Sequence, residues 1–267
     1  MRNLRNFSKW RAMVHCKTQS EIELMGQGGK ILAQVLSTLL DHVKPGVSET
    51  DLDRMAERLI IEKGGEPGFK KVPGYRHTIC VSTNDVVVHG IPKEYKFKEG
   101  DVVGIDCGVY YKGLHTDMAE TVRVQGKGAR VKKPDEVDTF LETGKKALDA
   151  AIQQAKIGNR VGHISKTIQD SVEKEGYSIV RSLVGHGVGR ELHEEPEVPG
   201  FLEGSLNKTA LLKEGMVLAV EVIYNEGDRE LVLDDDGWTI KTKDASTSGL
   251  YERTVAITKN GPIVLTA

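Results

Sequence analysis

The chain is poor in cysteine. Its 267 residues hold three, Cys16, Cys80 and Cys107, far apart and with no CxxC pair. That excludes a disulfide framework and a Cys-rich structural zinc site, and it favours a reducing compartment. Long apolar runs are also missing. None approaches the roughly 20 residues that span a bilayer, so a soluble protein without a membrane partner is expected. Nor is one sign of charge in excess: charged residues make up 28% of the chain, yet acids and bases nearly cancel to a net −2. Such a balance argues against a dedicated nucleic-acid binder.

The first thirteen residues, MRNLRNFSKWRAM, lack acid altogether. They carry Arg2, Arg5, Lys9 and Arg11, and the first acid is Glu21. No apolar stretch follows, which excludes a secretory signal. Residues 1–17 read as a basic N-terminal arm and residues 18–267 as a single domain, long enough to bury a sizeable core. A short organellar presequence and translation from Met13 are alternatives for the arm.

What the chain does contain is a duplication. The segments 98-KEGDVVGID-106 and 213-KEGMVLAVE-221 share Lys-Glu-Gly, an apolar run and a carboxylate six residues after the glycine. Upstream, 44-KPGVSETDLDRMAERLIIEKG-64 and 156-KIGNRVGHISKTIQDSVEKEG-176 rhyme at nearly the same offset, with apolar residues at helical spacing. Further helices are expected over 20–42, with Ser20 as N-cap and Glu23 completing a capping box, and over 136–155. Strands are expected over 78–82, 85–89, 101–111, 120–124, 216–224, 238–242 and 252–258, between breakers at Gly90–Pro92, Gly113, Gly126–Gly128 and Gly227–Asp228. The result is an α+β fold of two similar halves sharing one core.

Period-2 reading of the strand around Asp106 puts it on one face with Val102, Gly104 and Gly108. The opposite face, Val103, Ile105, Cys107 and Val109, is apolar, so Asp106 is an acid in an interior. Glu221 occupies the matching position of the second copy, beside Val217 and Ala219. Asp117 and Glu252 begin partner strands whose alternate positions are small. Four such carboxylates converging on one point need compensating positive charge. The run 181-RSLVGHGVGRELHEEP-196 adds His186, boxed between glycines, and His193. By itself His186 reads as a metal ligand, a proton shuttle or an ordinary loop residue. With the four acids it makes an oxygen-rich set of five, suited to a pair of divalent ions such as manganese, iron, cobalt or zinc. Separate salt bridges for each acid are the alternative.

These motifs resemble those of type I methionine aminopeptidases, metallopeptidases of the pita-bread fold, over the chain from about Thr18 onward. HGIP (89–92), GIDCGVYYKGLHTD (104–117), GHGVGRELHEEP (185–196), VEV (220–222) and LYERT (250–254) carry the resemblance. It implies two pseudo-twofold related halves around one central curved antiparallel sheet. It implies a dimetal centre on Asp106, Asp117, His186, Glu221 and Glu252, and a hydroxide bridging the two ions as the attacking group. Glu221 would shuttle the proton, His193 would stabilise the oxyanion and His89 would contact the scissile amide. Tyr75, Cys80, Leu192 and Trp238 are the implied methionine pocket, and the glycines are expected to let the His186 backbone crowd against the ions. The implied substrate is the N-terminal methionine of nascent polypeptides with a small second residue. A monomer in the cytoplasm, touching the ribosome transiently, is the matching expectation. Departures from the family pattern are Val222 in place of a common proline, Leu192 in place of a common aromatic, and the loop 69–80. The segment from His186 to Glu221 is too short for the helical insertion of type II enzymes. A non-catalytic binder on the same fold and a proline-directed aminopeptidase are the competing readings.

Overall fold

The computed structural model describes residues 14–126 and 134–267. Residues 1–13 of the basic arm, and the breaker at Gly126–Gly128 beyond its first residue, lie outside the described residues. The first half opens with α1 (Gln19–Asp41) and α2 (Glu49–Glu62). Strands β1 (Glu66–Pro67), β2 (Ile79–Thr83), β3 (Val86–Val88), β4 (Val102–Tyr111) and β5 (Leu114–Arg123) follow. The second half opens with α3 (Glu136–Ile152) and α4 (Val161–Glu173). Its strands are β6 (Ser178–Ile179), β7 (Val184–Gly187), β8 (Glu194–Pro199), β9 (Val217–Asn225), β10 (Leu231–Leu233), β11 (Ile240–Thr242), β12 (Ser248–Thr258) and β13 (Gly261–Val264).

Local chemistry starts the helices. Thr18 caps α1, accepting from the Glu21 amide, while the Glu21 carboxylate accepts from the Thr18 amide. The cap thus lies two residues before the expected Ser20, because the Lys17 amide donates to the Gly215 carbonyl at 2.6 Å and fixes where the chain enters the helix. Ser48 with Asp51 and Asp135 with Asp138 cap α2 and α3 in the same reciprocal way. Helix α3 stops at Ile152, three residues short of the expected end.

Ten strands form one sheet with the main path β1–β4–β5–β12–β9–β7–β8; β2 adds to β4, β6 to β9 and β13 to β12. Its four middle strands, β4–β5–β12–β9, pair antiparallel, two from each half. The pseudo-twofold therefore falls between β5 and β12. One sheet face is apolar and covered by the helices. Val103, Ile105, Cys107 and Val109 pack under α1 and α2 with Leu32, Leu36, Leu52 and Ile60. Leu218, Val220, Val222 and Tyr224 pack under α3 and α4 in the same manner. Each fully buried Leu, Ile or Val contributes roughly 1.5–3 kcal/mol, so these two layers hold the halves to one sheet. The helices leave the other face open. A small sheet, β10–β11–β3, flanks that open face. Three expected strands begin two or more residues from where they were anticipated: β11 starts late at Ile240, β12 early at Ser248, and β5 early at Leu114 because ten consecutive β4–β5 pairs run down to the hairpin. Among the described residues, no helix is long and apolar enough to cross a membrane.

Candidate metal centre and its pocket

Strand register gathers the site. Asp106 is paired with Ala119, Ala119 with Glu252, and Glu252 with Glu221, a single row across four strands. Paired residues of antiparallel strands point to the same face, as do residues two apart on one strand. Asp117, two before Ala119, and Ala219, two before Glu221, join that face. His186 on β7 is paired with Ala219 and so joins the same face, one side-chain step along it from the row. The small residues beside the acids, Gly104, Ala119 and Ala219, leave the space above the sheet to the carboxylates.

Ligand atoms of Asp117, His186 and Glu252 lie within 4.8 Å of one another, and all three residues are buried. The His186 Nε2 stands 3.5 Å from a Glu221 carboxylate oxygen. Its Nδ1 lies 2.9 Å from the Gly187 carbonyl, which assigns the proton to Nδ1 and turns the Nε2 lone pair toward the acids. Among the described residues, none of the four carboxylates has a lysine or arginine within ion-pair distance. The separate-salt-bridge alternative fails on that point. Asp106 Oδ1 and Glu252 Oε1 are buried without a hydrogen-bond partner.

The electrostatics follow. Loss of water pushes the Asp106 carboxyl up to about 7. Burial, reinforced by the neighbouring acids, raises Asp117, Glu221 and Glu252 well above the ordinary carboxylate range. Burial acts oppositely on the imidazoles and lowers His186 and His89 to about 4. His193 also falls well below its usual range, through the protein packed around its ring and then the adjacent His186 and His89. Like-charged acids at this separation cannot all ionise alone. Two unsatisfied buried oxygens and an aimed imidazole fit divalent cations, and these residue types supply the donors such ions take.

The open face continues into a cavity of about 670 Å³. Its apolar end is a cluster of Phe69, Tyr75, Cys80 and Leu192, with Trp238 against it. The four residues expected for the methionine pocket are thus brought together. Tyr75 donates to the Ile79 carbonyl at 2.8 Å and its ring meets Trp238 edge-on at 5.1 Å. Leu192 fills part of this wall where an aromatic was anticipated by resemblance. Val222 lies on the opposite sheet face, fully buried and in regular pairing with Tyr251, so its departure from proline leaves β9 undistorted. Phe69 was not singled out in the sequence; its ring packs where a Gly108 side chain would stand. His89 and His193 both line the cavity. The His193 ring lies 4.5 Å from that of His186. His89 has φ 55°, a strained conformation for this residue and of the kind that persists at functional positions.

The glycines on either side of His186 give the chain close packing. A Cβ on Gly185 would stand 2.5 Å from the Ala219 carbonyl oxygen, and one on Gly187 2.4 Å from that of Glu195. They let β7 fit tightly between its neighbours, with His186 held on a strand and not on a loose loop.

A family model, metallopeptidase family M24, matches residues 23–259. The chain belongs to that family. Among M24 relatives, the methionine aminopeptidase of Clostridium perfringens is 42% identical over 254 residues, covering 95% of this chain and 99% of that protein. The methionine aminopeptidase of Aquifex aeolicus is 44% identical over 256 residues, covering 93% and 97%. The crystal structure of methionine aminopeptidase from Thermotoga maritima superposes with a TM-score of 0.89 at 39% identity, covering 95% and 99% of the two chains. The prolidase of Pyrococcus furiosus, at 24% identity and TM-score 0.73, shares the pita-bread fold alone and is matched over 65% of its length. Divalent metal use comes with M24 membership, and the expected fold of duplicated halves is the one observed.

Proposed function

We propose that this M24 peptidase removes the N-terminal methionine from polypeptides whose second residue is small, with residues 18–267 as its catalytic unit. The observation that carries this reading is the row Asp106–Glu252–Glu221, joined by Asp117 and His186, opening onto a cavity with an apolar end of Phe69, Tyr75, Cys80, Leu192 and Trp238. Asp106, Asp117, His186, Glu221 and Glu252 would hold two divalent ions, of cobalt, manganese, iron or zinc. When bound, such ions supply a Lewis acid and a water acidified toward neutral pH.

The chain's own residues do the rest. Tyr75, Cys80, Leu192 and Trp238 take the methionine side chain, which places the first peptide bond over the carboxylate row. His193, neutral because its pKa is depressed, offers an N–H to the carbonyl oxygen as charge develops there. Glu221, ionised beside the two ions it would help hold, accepts a proton and passes it on. His89, neutral and strained into the cavity, meets the leaving amine. A free, uncharged α-amine is a donor that an ion on this row would take and an N-acetyl amide is not, which would restrict cleavage to the chain terminus. A cytoplasmic monomer meeting nascent chains, with transient ribosome contact, fits this role.

A panel of Met-X-Ala-Ser peptides tests the reading under Fe(II), Mn(II) and Co(II). Release of methionine when X is Ala or Gly, little when X is Arg, and none from N-acetylated peptides is expected. Efficient release from an acetylated peptide would contradict the amine-directed reading, and cleavage confined to X = Pro would favour a proline-directed peptidase.

A further inference from the structure

One buried charge pair plays no part in the chemistry above. Lys17, assigned from sequence to the basic arm, is only 8% exposed, and Glu194 only 7%. The Lys17 ammonium donates to a Glu194 carboxylate oxygen at 2.5 Å and to the His15 carbonyl at 3.0 Å. The other Glu194 oxygen accepts the Glu191 amide at 3.2 Å, closing a turn that carries Leu192 and His193. The cavity for the ammonium is made by Gly189: a Cβ there would stand 2.3 Å from Lys17 Cε and 2.7 Å from Glu194 Oε1. The Lys17 amide is in turn bonded to the Gly215 carbonyl, so the pair is anchored at its far end.

We propose that Lys17 is a positioning residue for His193: its ion pair with Glu194 locks the 191–194 turn and fixes the His193 ring against His186. A lysine and a glutamate are rarely buried unless paired, and such a pair is a costly way to gain stability alone. Its place, one residue from His193 and directly before α1, gives it a geometric task. Rings that act on a developing charge must be held to a fraction of an ångström, and misplacement by about 1 Å costs on the order of 10²-fold in rate. The kinetic consequence rests on the aminopeptidase reading; the geometric one does not.

Removing Lys17 alone strands a buried carboxylate, so the test uses the neutral pair Lys17→Met with Glu194→Gln, in which the new amide still accepts from Glu191. In the full-length, metal-loaded protein, kcat on Met-Ala-Ser should fall by about 10-fold or more while KM and metal content change little. In a His193→Ala background the same pair should cost nothing further. Separately, ¹H–¹³C spectra of the metal-free protein should show the His193 ring resonances shifted or broadened and those of His42, at the far end of α1 from Lys17, unchanged. Gly189→Ala, which crowds the ammonium and the carboxylate while leaving both charges in the chain, should give the same His193 signature and serves if the neutral pair does not fold. An equal loss in both backgrounds, or unmoved His193 resonances in both variants, would overturn the proposal. If wild type released no methionine, the aminopeptidase reading would fail while the spectra still decided the geometry.

Discussion

Glu252, buried, and Glu221, with 13% of its side chain still exposed, are directly opposed on β12 and β9, two carboxylates side by side on adjacent strands. Opposed like charges destabilise a sheet; the same row brings in Asp106, and the same face brings in Asp117. A divalent pair turns that repulsion into attraction, so metal removal should be felt by the fold itself. Chelation should lower the melting temperature at pH 7.5, and Mn(II) should restore it. A melting temperature indifferent to chelator would show that the acids are compensated in some other way.

The pH dependence of the metal-free protein has a definite sign. Raised carboxyl pKa values mean that the folded state binds more protons than the unfolded state between about 4 and, for Asp106, about 7. That effect makes stability fall as pH rises. His89 and His186, lowered to about 4, act oppositely between about 4 and 6.5, where only the unfolded chain is protonated. Above about 6.5 the histidines are neutral in both states and the carboxyls act alone. Melting temperature should therefore drop between pH 6.5 and 8 in metal-free protein, and much less with metal bound. A rise over that range would contradict the raised carboxyls.

Individual ligands should be separable from catalytic groups. Asp106→Asn, Asp117→Asn and Glu252→Ala should each abolish hydrolysis and reduce bound metal. His89→Ala and His193→Ala should keep both metals and lower kcat by roughly 10²-fold or more, with a smaller change in KM. Metal analysis alongside steady-state kinetics checks both. Full metal and near-wild-type rate in any of the first three would remove that residue from the ligand set.

Trp238→Ala should raise KM for Met-Ala-Ser more than it lowers kcat, since the indole supports Tyr75 at the apolar end of the cavity. An unchanged KM would place the methionine elsewhere.

Gly187→Ala should destabilise the protein by about 1–3 kcal/mol, because its Cβ meets the backbone of Glu195 and neither strand has room to yield. A urea titration measures it, and a neutral outcome would mean that β7 and β8 are looser than the structure shows.

The convergence of the acids was legible in the sequence because duplication and strand periodicity are both local signals. Lys-Glu-Gly before each apolar strand marks the two copies, and the period of two puts Asp106 and Glu221 on one face. The α1 cap was displaced by two residues because two overlapping patterns, Thr18–Glu21 and Ser20–Glu23, satisfy the same rule, and a contact with Gly215 decides between them. The tight strand spacing behind Gly185 and Gly187 was invisible for the same reason: it depends on carbonyls of Ala219 and Glu195. Lys17 and Glu194 stand 177 residues apart, and no pattern in one sequence pairs them.

The central claim is that this chain hydrolyses the first peptide bond with two metals on that row. Chelated protein titrated with Mn(II), with bound metal and methionine release from Met-Ala-Ser followed together, tests it most directly. Release should be absent without metal and reach its plateau by two ions per chain. Full release from metal-free protein, or two bound ions with no release, would contradict it.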